Sequence, residues 1–445
     1  MSRLKPAVCT ALALATSLAF AQDAPAAAAP ALPYNQGDSA WMIVATALVL
    51  LMTPGLALFY GGMVHKKNVL NTMLMSFIMM GVGTLIWFVI GYSLAFGDAK
   101  ASHGLIGSFQ FAMGKDVSVS TPYGTQTIPA ALFMLFQMKF AIITPALISG
   151  AIAERVKWRG YILFVTLWSV LVYCPAACWV WNPDGWLAKL GALDFAGGTV
   201  VHLASGISAL ALIIVLGKRK DLAPPPNNIT LTLLGGGLLW FGWFGFNAGS
   251  ALAINDVAIN AFVTTHLAAA GGMMTWLLAE KLKSGRMTAI GGASGLVAGL
   301  VAITPACGFV NFGGGLIIGL LSGVVCYAGI QLKHKLGYDD ALDVVGVHGL
   351  GGLFGAVATG FFADAAVNSA VTGPALEGGK GTLIMHQLIA VGAVGAFAFV
   401  VTFVLAKAIQ ATVGLRASDE SETLGLDESV HGESGYGIPY EPIAV

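Results

Sequence analysis

Eleven predominantly apolar stretches run through the 445-residue chain, and each is long enough to cross a lipid bilayer. A helical span needs roughly 20 apolar residues, because the bilayer core offers no water to backbone groups. Only 10% of the residues are charged, whereas a soluble domain carries about 25%. The sequence therefore predicts an all-α polytopic membrane protein with eleven transmembrane helices, at about 40–62, 69–96, 128–153, 160–181, 197–217, 228–250, 257–280, 288–306, 313–332, 342–363 and 381–409.

The two ends of the chain differ from this apolar body. Residues 1–21 are typical of a signal peptide, since basic residues precede an apolar run that ends in the small-x-small pattern Ala19-Phe20-Ala21. Residues 22–38 are expected to be a periplasmic N-terminal linker, and residues 39–410 to hold the eleven helices. Residues 411–445 carry seven acidic residues against one arginine. We interpret them as a cytoplasmic tail that is either solvated or docked on the inner loops.

Basic residues in the loops predict the orientation of the chain. A secreted N-terminus followed by eleven spans places the C-terminus in the cytoplasm. Fifteen Lys and Arg residues lie in loops that this orientation puts inside, and only four lie in loops that it puts outside. Cytoplasmic loops of membrane proteins are enriched in Lys and Arg. The charges therefore support a multi-pass protein of the inner (plasma) membrane, with its N-terminus outside.

The spans divide into two halves. Pro224-Pro225-Pro226 interrupts the chain between spans five and six, which gives five-span halves at about 39–220 and 227–363 and leaves one final helix. An odd number of spans per half means that the second half inserts upside down relative to the first, as in many transporters. The expected fold is two five-helix halves of inverted topology plus a final helix.

Two histidines occur in similar settings. His202 and His348 each stand in the pattern Val-His-x-x-x-Gly in the last span of their half, so the inverted repeat is expected to bring them together at mid-membrane. Ionisable groups at this depth are costly and usually mark a functional site. One interpretation is two core histidines that bond neighbouring carbonyls. The other is two neutral imidazoles along a narrow pore, each offering one donor and one acceptor.

Asp194 lies eight residues before His202, at the outer start of span five. A carboxylate at this position accepts the free N–H groups at the start of a helix. It would also add negative potential that attracts a cation to a pore entrance. Both roles stay open from the sequence.

Aromatic residues cluster at the outer ends of several spans, where most are packing or interfacial residues. The run Gly242–Ser250 is less ordinary, because it interleaves bulky rings with glycine and ends in a hydroxyl group. An aromatic face and a serine oxygen would together hold a small cation. Lys139, inside span three, is expected to snorkel to the outer surface. His266 and His386 have no comparable pairing and are interpreted as structural.

Five motifs resemble the ammonium transporter (Amt/MEP/Rh) family, and the bacterial Amt branch most closely. They are Ala57–Gly62, Asp194–His202, Gly242–Ser250, Thr304–Gly308 and Gly346–Gly349. The resemblance covers about residues 38–437 and implies an eleven-helix protomer that forms a homotrimer with one pore in each protomer. The tail stretch Gly425–Glu433 resembles the family's regulatory C-terminus. It implies a docking surface for a PII-type signalling protein at the cytoplasmic face.

The resemblance also implies an outer binding site for ammonium. By the position of the motifs, Phe140, Trp181 and Ser250 would form this site, with Asp194 beneath it. The loop after Trp181 departs from the Gly-rich version of the family by one residue.

A gate and a pore are implied in the same way. Phe140 and Phe246 would be stacked rings that close the pore below the outer site, and Phe136 is assigned to the same gate. His202 and His348 would be the twin histidines of the pore itself.

The function expected from these features is an ammonium transporter that recruits ammonium outside, deprotonates it and conducts ammonia into the cytoplasm. Methylammonium is kept as an alternative substrate. The alternative hypotheses are an electroneutral Rh-like gas channel and an ammonium sensor that signals through its tail. Neither a nucleophile–base set nor a metal-ligand spacing appears, so no enzyme, metal or cofactor is expected. The net charge of zero gives no sign of a nucleic-acid partner.

Overall fold

The computed structural model describes residues 32–222 and 225–436, so the predicted signal peptide (1–21) lies outside the described residues, as do residues 22–31 of the predicted linker. Every regular element in the described residues is helical. Within residues 32–222 and 225–436, ten helices have the length and composition of a membrane span, and one further apolar helix is shorter. In chain order they are α1 Gln36–Met63, α2 Lys66–Phe96, α3 Ala130–Ile152, α4 Trp158–Leu190, α5 Gly198–Leu216, α6 Ile229–Ala251, α7 Asp256–Ser284, α8 Ala289–Ile303, α9 Phe312–Leu336, α10 Val345–Phe362 and α11 Lys380–Thr412.

The all-α prediction is confirmed, and each predicted apolar stretch coincides with one helix. The main difference is α8, which has 15 residues where the sequence predicts a span over 288–306. Turns replace the last part of that span from Thr304 onward. Pro305 explains the change, because proline lacks the N–H group that would continue the helix. The exact number of membrane crossings therefore stays a prediction.

Asparagine or threonine side chains cap the start of five of the helices. Before α1, α6, α7, α8 and α9 the capping side chain accepts a backbone N–H from the first turn, and the caps are Asn35, Asn228, Asn255, Thr288 and Asn311. The first N–H groups of a helix have no partner within the helix. The caps therefore complete these helices at their polar ends.

Two ends of the helical bundle are distinguished below. The loop face carries the long loop between α2 and α3, and hydrogen bonds join that loop to the end of α2 and to the end region of α4. The tail face is the opposite end, where the C-terminal tail packs. It is formed by residues 64–68, 153–157, 217–222, 337–344 and 413–436.

Glycine allows α5 and α10 to cross with their backbones in contact. A β-carbon on Gly206 would overlap the backbone of Gly349 in the other helix. Such small residues are what membrane helices use for close approach. His202 lies one turn before Gly206, and His348 is the neighbour of Gly349. The crossing therefore sets the distance between the two histidines.

A buried ionic cluster joins the loops of the tail face. The Arg219 guanidinium lies 2.5 Å from Glu154 Oε2 and 2.9 Å from Asp339 Oδ1. The fully buried Arg155 donates to the Asp339 carbonyl at 2.6 Å. Burial alone would raise the pKa of Asp339, but the hydrogen bonds from Arg219 and the charge of Arg155 hold it below its ordinary value. Removing one partner of such a cluster costs about 3–5 kcal/mol, because it leaves a buried charge unpaired.

The described part of the predicted tail, residues 411–436, is docked on the tail face rather than solvated, and residues 437–445 lie outside the described residues. Arg416 forms an isolated antiparallel bridge with Val156 and binds Glu422 through its guanidinium. Asp427 accepts the N–H groups of Leu70 and Asn71 at 3.0 and 2.8 Å, near the start of α2. These contacts make residues 413–436 part of the folded helical domain.

Replacing Gly206 by alanine is expected to separate α5 from α10 and to lower the free energy of unfolding by about 1–3 kcal/mol, as overpacking does. Gly237→Ala is the matched control, since no atom lies within 4 Å of the β-carbon it would add. Thermal unfolding of the detergent-solubilised protein measures both. Equal melting temperatures for the two variants would contradict the account of the crossing.

Candidate functional site

The helices α5 and α10 begin in the same way. Each opens with a π-helical segment, Gly198–Leu203 in α5 and Val345–Gly349 in α10. Before each segment an aspartate accepts free backbone N–H groups. Asp194 binds four of them at 2.6–3.0 Å, and Asp340 binds two at 2.7 and 3.1 Å. The carboxylates thus replace the water that the start of a helix would otherwise need.

His202 and His348 meet in the interior. Their Nδ1 atoms are 3.2 Å apart, and the rings lie nearly parallel with centroids 5.2 Å apart. A single proton between two Nδ1 atoms makes one ring the donor and the other the acceptor. The donor ring then keeps a bare Nε2, while the acceptor ring carries its proton on Nε2. Two neutral imidazoles in this arrangement offer a small molecule one acceptor and one donor.

Trp243 holds the first imidazole in place. Its indole stacks on the His202 ring at 5.4 Å between centroids, with 17° between the planes. Its Nε1 donates to Thr304 Oγ1 at 2.9 Å, so the indole itself is fixed by a hydrogen bond. The histidine pair therefore rests on a rigid aromatic surface.

A narrow cavity of about 20 Å³ lies beside the two histidines. This volume is enough for about one molecule of the size of water. Apart from the histidines, its polar lining groups are already bonded: Tyr60 donates to the Leu147 carbonyl, and Trp243 donates to Thr304. The rest of the wall is apolar, formed by Met52, Leu56, Phe59, Ile143, Leu147, Val201, Leu239, Phe246 and Val297.

Two phenyl rings separate this cavity from the loop face. Phe140 and Phe246 have ring centroids 4.3 Å apart and planes inclined by 37°, and both side chains are fully buried. Phe246 also lines the narrow cavity, while Phe140 lines a wider one on the loop face. Phe136 packs edge-on against Phe140 at 5.1 Å. The three predicted gate residues are thus in mutual contact through Phe140.

The wider cavity is called the vestibule below. It has a volume of about 170 Å³, and its lining includes Phe140, Trp181 and Ser250. The rings of Phe140 and Trp181 stand almost perpendicular, with centroids 5.7 Å apart. Ser250 Oγ donates to the Phe246 carbonyl at 2.8 Å, so its lone pairs remain for another donor. Three of the four residues predicted for the outer site therefore share one cavity.

Asp194 is placed differently from the other three. Its carboxylate points to the backbone N–H groups of residues 197–200 and is not part of the vestibule wall. Its carbonyl accepts a hydrogen bond from Trp181 Nε1 at 2.9 Å. Of the two roles expected from the sequence, capping is the one visible in these contacts, and Asp194 also fixes the Trp181 ring.

Lys139 does not reach the surface, although snorkelling is expected from the sequence. Its side chain lies inside the protomer with only 8% of the residue exposed, and its Nζ is 3.9 Å from Met138 Sδ. Lys139 lines neither the vestibule nor the narrow cavity. The amino group of Lys139 therefore lies away from both cavities.

Asp340, Trp243 and Thr304 are not among the site residues predicted from the sequence. Asp340 could have been found, because it stands eight residues before His348 just as Asp194 stands eight before His202. Trp243 lies inside the run Gly242–Ser250 but carried no signal that set it apart from its neighbours. Thr304 matters only through its contact with Trp243, and a contact between two distant helices leaves no local pattern.

The sequence model of the Ammonium Transporter Family matches residues 40–436. The chain belongs to the ammonium transporter family. An ammonium transporter of Bacillus subtilis (strain 168) is 50% identical over 404 residues, which cover 90% of this chain and 99% of that relative. An ammonium transporter of Aquifex aeolicus (strain VF5) is 48% identical over 431 residues, or 96% of this chain and 98% of the relative.

Solved structures agree with this assignment. The crystal structure of Saccharomyces cerevisiae Mep2 has a TM-score of 0.80 and 38% identity, over 87% of this chain and 89% of that chain. The structure of a sensor Amt protein has a TM-score of 0.82 and 29% identity, over 88% and 98% of the two chains. The family resemblance of the motifs is confirmed, and the chain is a multi-pass membrane transporter of ammonium.

Replacing Asp194 by alanine is expected to lower the free energy of unfolding by about 2–3 kcal/mol, because four N–H groups lose a charged acceptor. Asp184→Ala on the same face is the control. Asp184 pairs with Lys189, whose side chain is 56% exposed, and such pairs contribute about 1 kcal/mol or less. Chemical denaturation in detergent measures both variants. An Asp194→Ala protein as stable as Asp184→Ala would contradict the capping role.

Proposed function

We propose that this transporter recruits ammonium in the vestibule, deprotonates it and conducts ammonia past the two histidines. The observation that carries the proposal is that the cavities on the two sides of the Phe140–Phe246 gate have different linings. Aromatic rings and a serine oxygen line the vestibule, whereas the cavity beyond the Phe140–Phe246 gate is apolar except for the imidazole pair. A cation suits the first environment, and a neutral molecule suits the second.

The energetics of burial favour deprotonation at the gate. Moving an unpaired ion into an apolar cavity costs many kcal/mol, while a neutral amine needs only its hydrogen bonds replaced. The two imidazoles supply one acceptor and one donor for that purpose. Potassium resembles ammonium in charge and size but cannot give up a proton. Selectivity then follows from the chemistry of the pore rather than from its width.

The protein is proposed to lie in the inner (plasma) membrane. In the proposed orientation the vestibule is outside and the tail face is in the cytoplasm. The distribution of charge supports it. The tail face carries Lys67, Lys157 and Lys220, and Lys333 in the last turn of α9 reaches the same face, where it donates to the Asp340 carbonyl. Basic loops are retained in the cytoplasm. Under the same proposal, residues 1–21 are removed on export and residues 411–445 form the regulatory tail.

A homotrimer is proposed as the assembled form. His266, eleven residues into α7, is exposed on the protomer surface and stacks on Trp240 at 5.1 Å. A polar side chain facing lipid at this depth is costly. A neighbouring protomer that covers this part of α7 would remove the cost. Cross-linking in native membranes tests the stoichiometry.

A PII-type signalling protein is the proposed cytoplasmic partner. The docked tail supports this, because the buried Glu422 and Asp427 hold it on the tail face and leave Asp419, Glu420 and Glu428 exposed there. Pull-down with a PII-type protein from solubilised membranes tests the assignment. If the protein binds the PII-type protein but transports no ammonium, the result would instead favour the hypothesis of an ammonium sensor.

The His202→Ala/His348→Ala double variant is expected to lose discrimination between ammonium and potassium by at least about tenfold, because water that fills the space of the two rings would hydrate an ion and remove the burial cost that excludes it. Currents from purified protein in proteoliposomes measure this. His334→Ala, on the exposed tail face, is the control and keeps the selectivity of the unmodified protein.

The same recordings separate the proposal from its alternative. An ammonium pulse that evokes a current in the unmodified protein indicates electrogenic transport. Ammonia entry reported by an internal pH dye without any current would identify an electroneutral gas channel. Unchanged selectivity in the double variant would contradict the role given to the histidines.

A further inference from the structure

One side chain in the vestibule has no bonding role in the fold. Gln137 lines this cavity together with Phe140, Trp181 and Ser250. It lies three residues before Phe140 on α3, so its side chain is on the vestibule side of the gate ring. Its Oε1 is enclosed by protein and has no hydrogen-bond partner among the described residues.

The amide of Gln137 is therefore not fixed by the protein. Buried polar groups are nearly always paired, and an exception calls for an explanation. A half-turn about the last side-chain torsion exchanges the oxygen and the nitrogen, and this choice depends only on the hydrogen bonds available. Since none holds Gln137 in the described residues, its carbonyl oxygen is free to turn toward a donor in the cavity.

Ser250 offers another oxygen acceptor in the vestibule. Its hydroxyl proton is committed to the Phe246 carbonyl at 2.8 Å, so only its lone pairs remain for a ligand. The oxygen acceptors of the vestibule would then include one from α3 and one from the end of α6, in the cavity that the rings of Phe140 and Trp181 also line. An ammonium ion has four N–H donors and can bond both oxygens while keeping contact with the rings.

We propose that the Gln137 carbonyl oxygen is a second hydrogen-bond acceptor for the cation in the vestibule, acting together with Ser250 Oγ. The inference rests on the proposed function, since it assumes that ammonium is recruited there. It assigns to Gln137 a part in affinity and no part in the conduction of ammonia. Gln137 thus determines how much of the vestibule is occupied at low ammonium concentration.

Binding and transport of methylammonium are measured separately on the purified full-length protein. Equilibrium binding of radiolabelled methylammonium to the detergent-solubilised protein reports the vestibule alone, and currents from proteoliposomes report conduction. Gln137→Met keeps the length of the side chain but removes the amide. We expect its dissociation constant to rise about tenfold, which corresponds to about 1.4 kcal/mol, with an unchanged maximal current. Gln137→Glu, which keeps an oxygen, is expected to bind at least as tightly as the unmodified protein.

Gln110→Met is the matched control, because Gln110 is exposed on the loop between α2 and α3. It should bind as the unmodified protein does. Melting temperatures show whether each variant is folded. Should Gln137→Met fail to fold, Gln137→Asn takes its place, since it withdraws the oxygen by one methylene and is expected to weaken binding similarly.

The outcomes separate this inference from the proposal beneath it. Saturable binding in the unmodified protein that is unchanged in Gln137→Met would overturn the role of Gln137 and leave the vestibule as the recruitment site. No saturable binding in the unmodified protein would overturn recruitment itself, and the inference with it. A lower maximal current with unchanged binding would assign Gln137 to the gate and would also overturn the inference.

Discussion

The contact between the two imidazoles is the constraint on which the rest of the structure depends. Nδ1 atoms at 3.2 Å require α5 and α10 to cross closely at one level. Gly206 and Gly349 make this possible by leaving no side chain between the helices. The pairing also fixes the protons, so one ring shows an acceptor and the other a donor to the adjoining cavity. A polar pair in an otherwise apolar passage follows from these helix–helix contacts.

Both histidine helices begin inside the protein, and their first N–H groups need partners there. Asp194 and Asp340 meet this need, each from a position eight residues before its histidine. In α5 the same aspartate accepts from the Trp181 indole and so links the start of the helix to the wall of the vestibule. In α10 the aspartate is next to the buried cluster around Asp339. The site is thus tied to both faces of the bundle through the capping groups rather than through the histidines.

Much of this arrangement is predictable from sequence, because membrane-spanning helices are recognisable from the length and composition of their apolar stretches. The apolar stretches and the meeting of His202 with His348 follow from hydropathy and from one repeated pattern. The shortness of α8 follows from Pro305 but is hidden by the apolar residues beyond it. The Trp243–Thr304 hydrogen bond and the unpaired amide of Gln137 could not be predicted from the sequence. They depend on which faces of distant helices meet, and no local pattern encodes that.

The central claim is that the passage beside the histidines admits a neutral amine and excludes an ion of similar size. Potassium flux through the purified, unmodified protein tests it most directly, measured with a potassium-sensitive dye in proteoliposomes at a fixed membrane potential. Ammonium flux under the same conditions provides the reference. The account predicts potassium flux indistinguishable from that of protein-free vesicles while ammonium transport continues. Potassium flux comparable to ammonium flux would contradict it, because an ion that cannot lose a proton would then have crossed the pore.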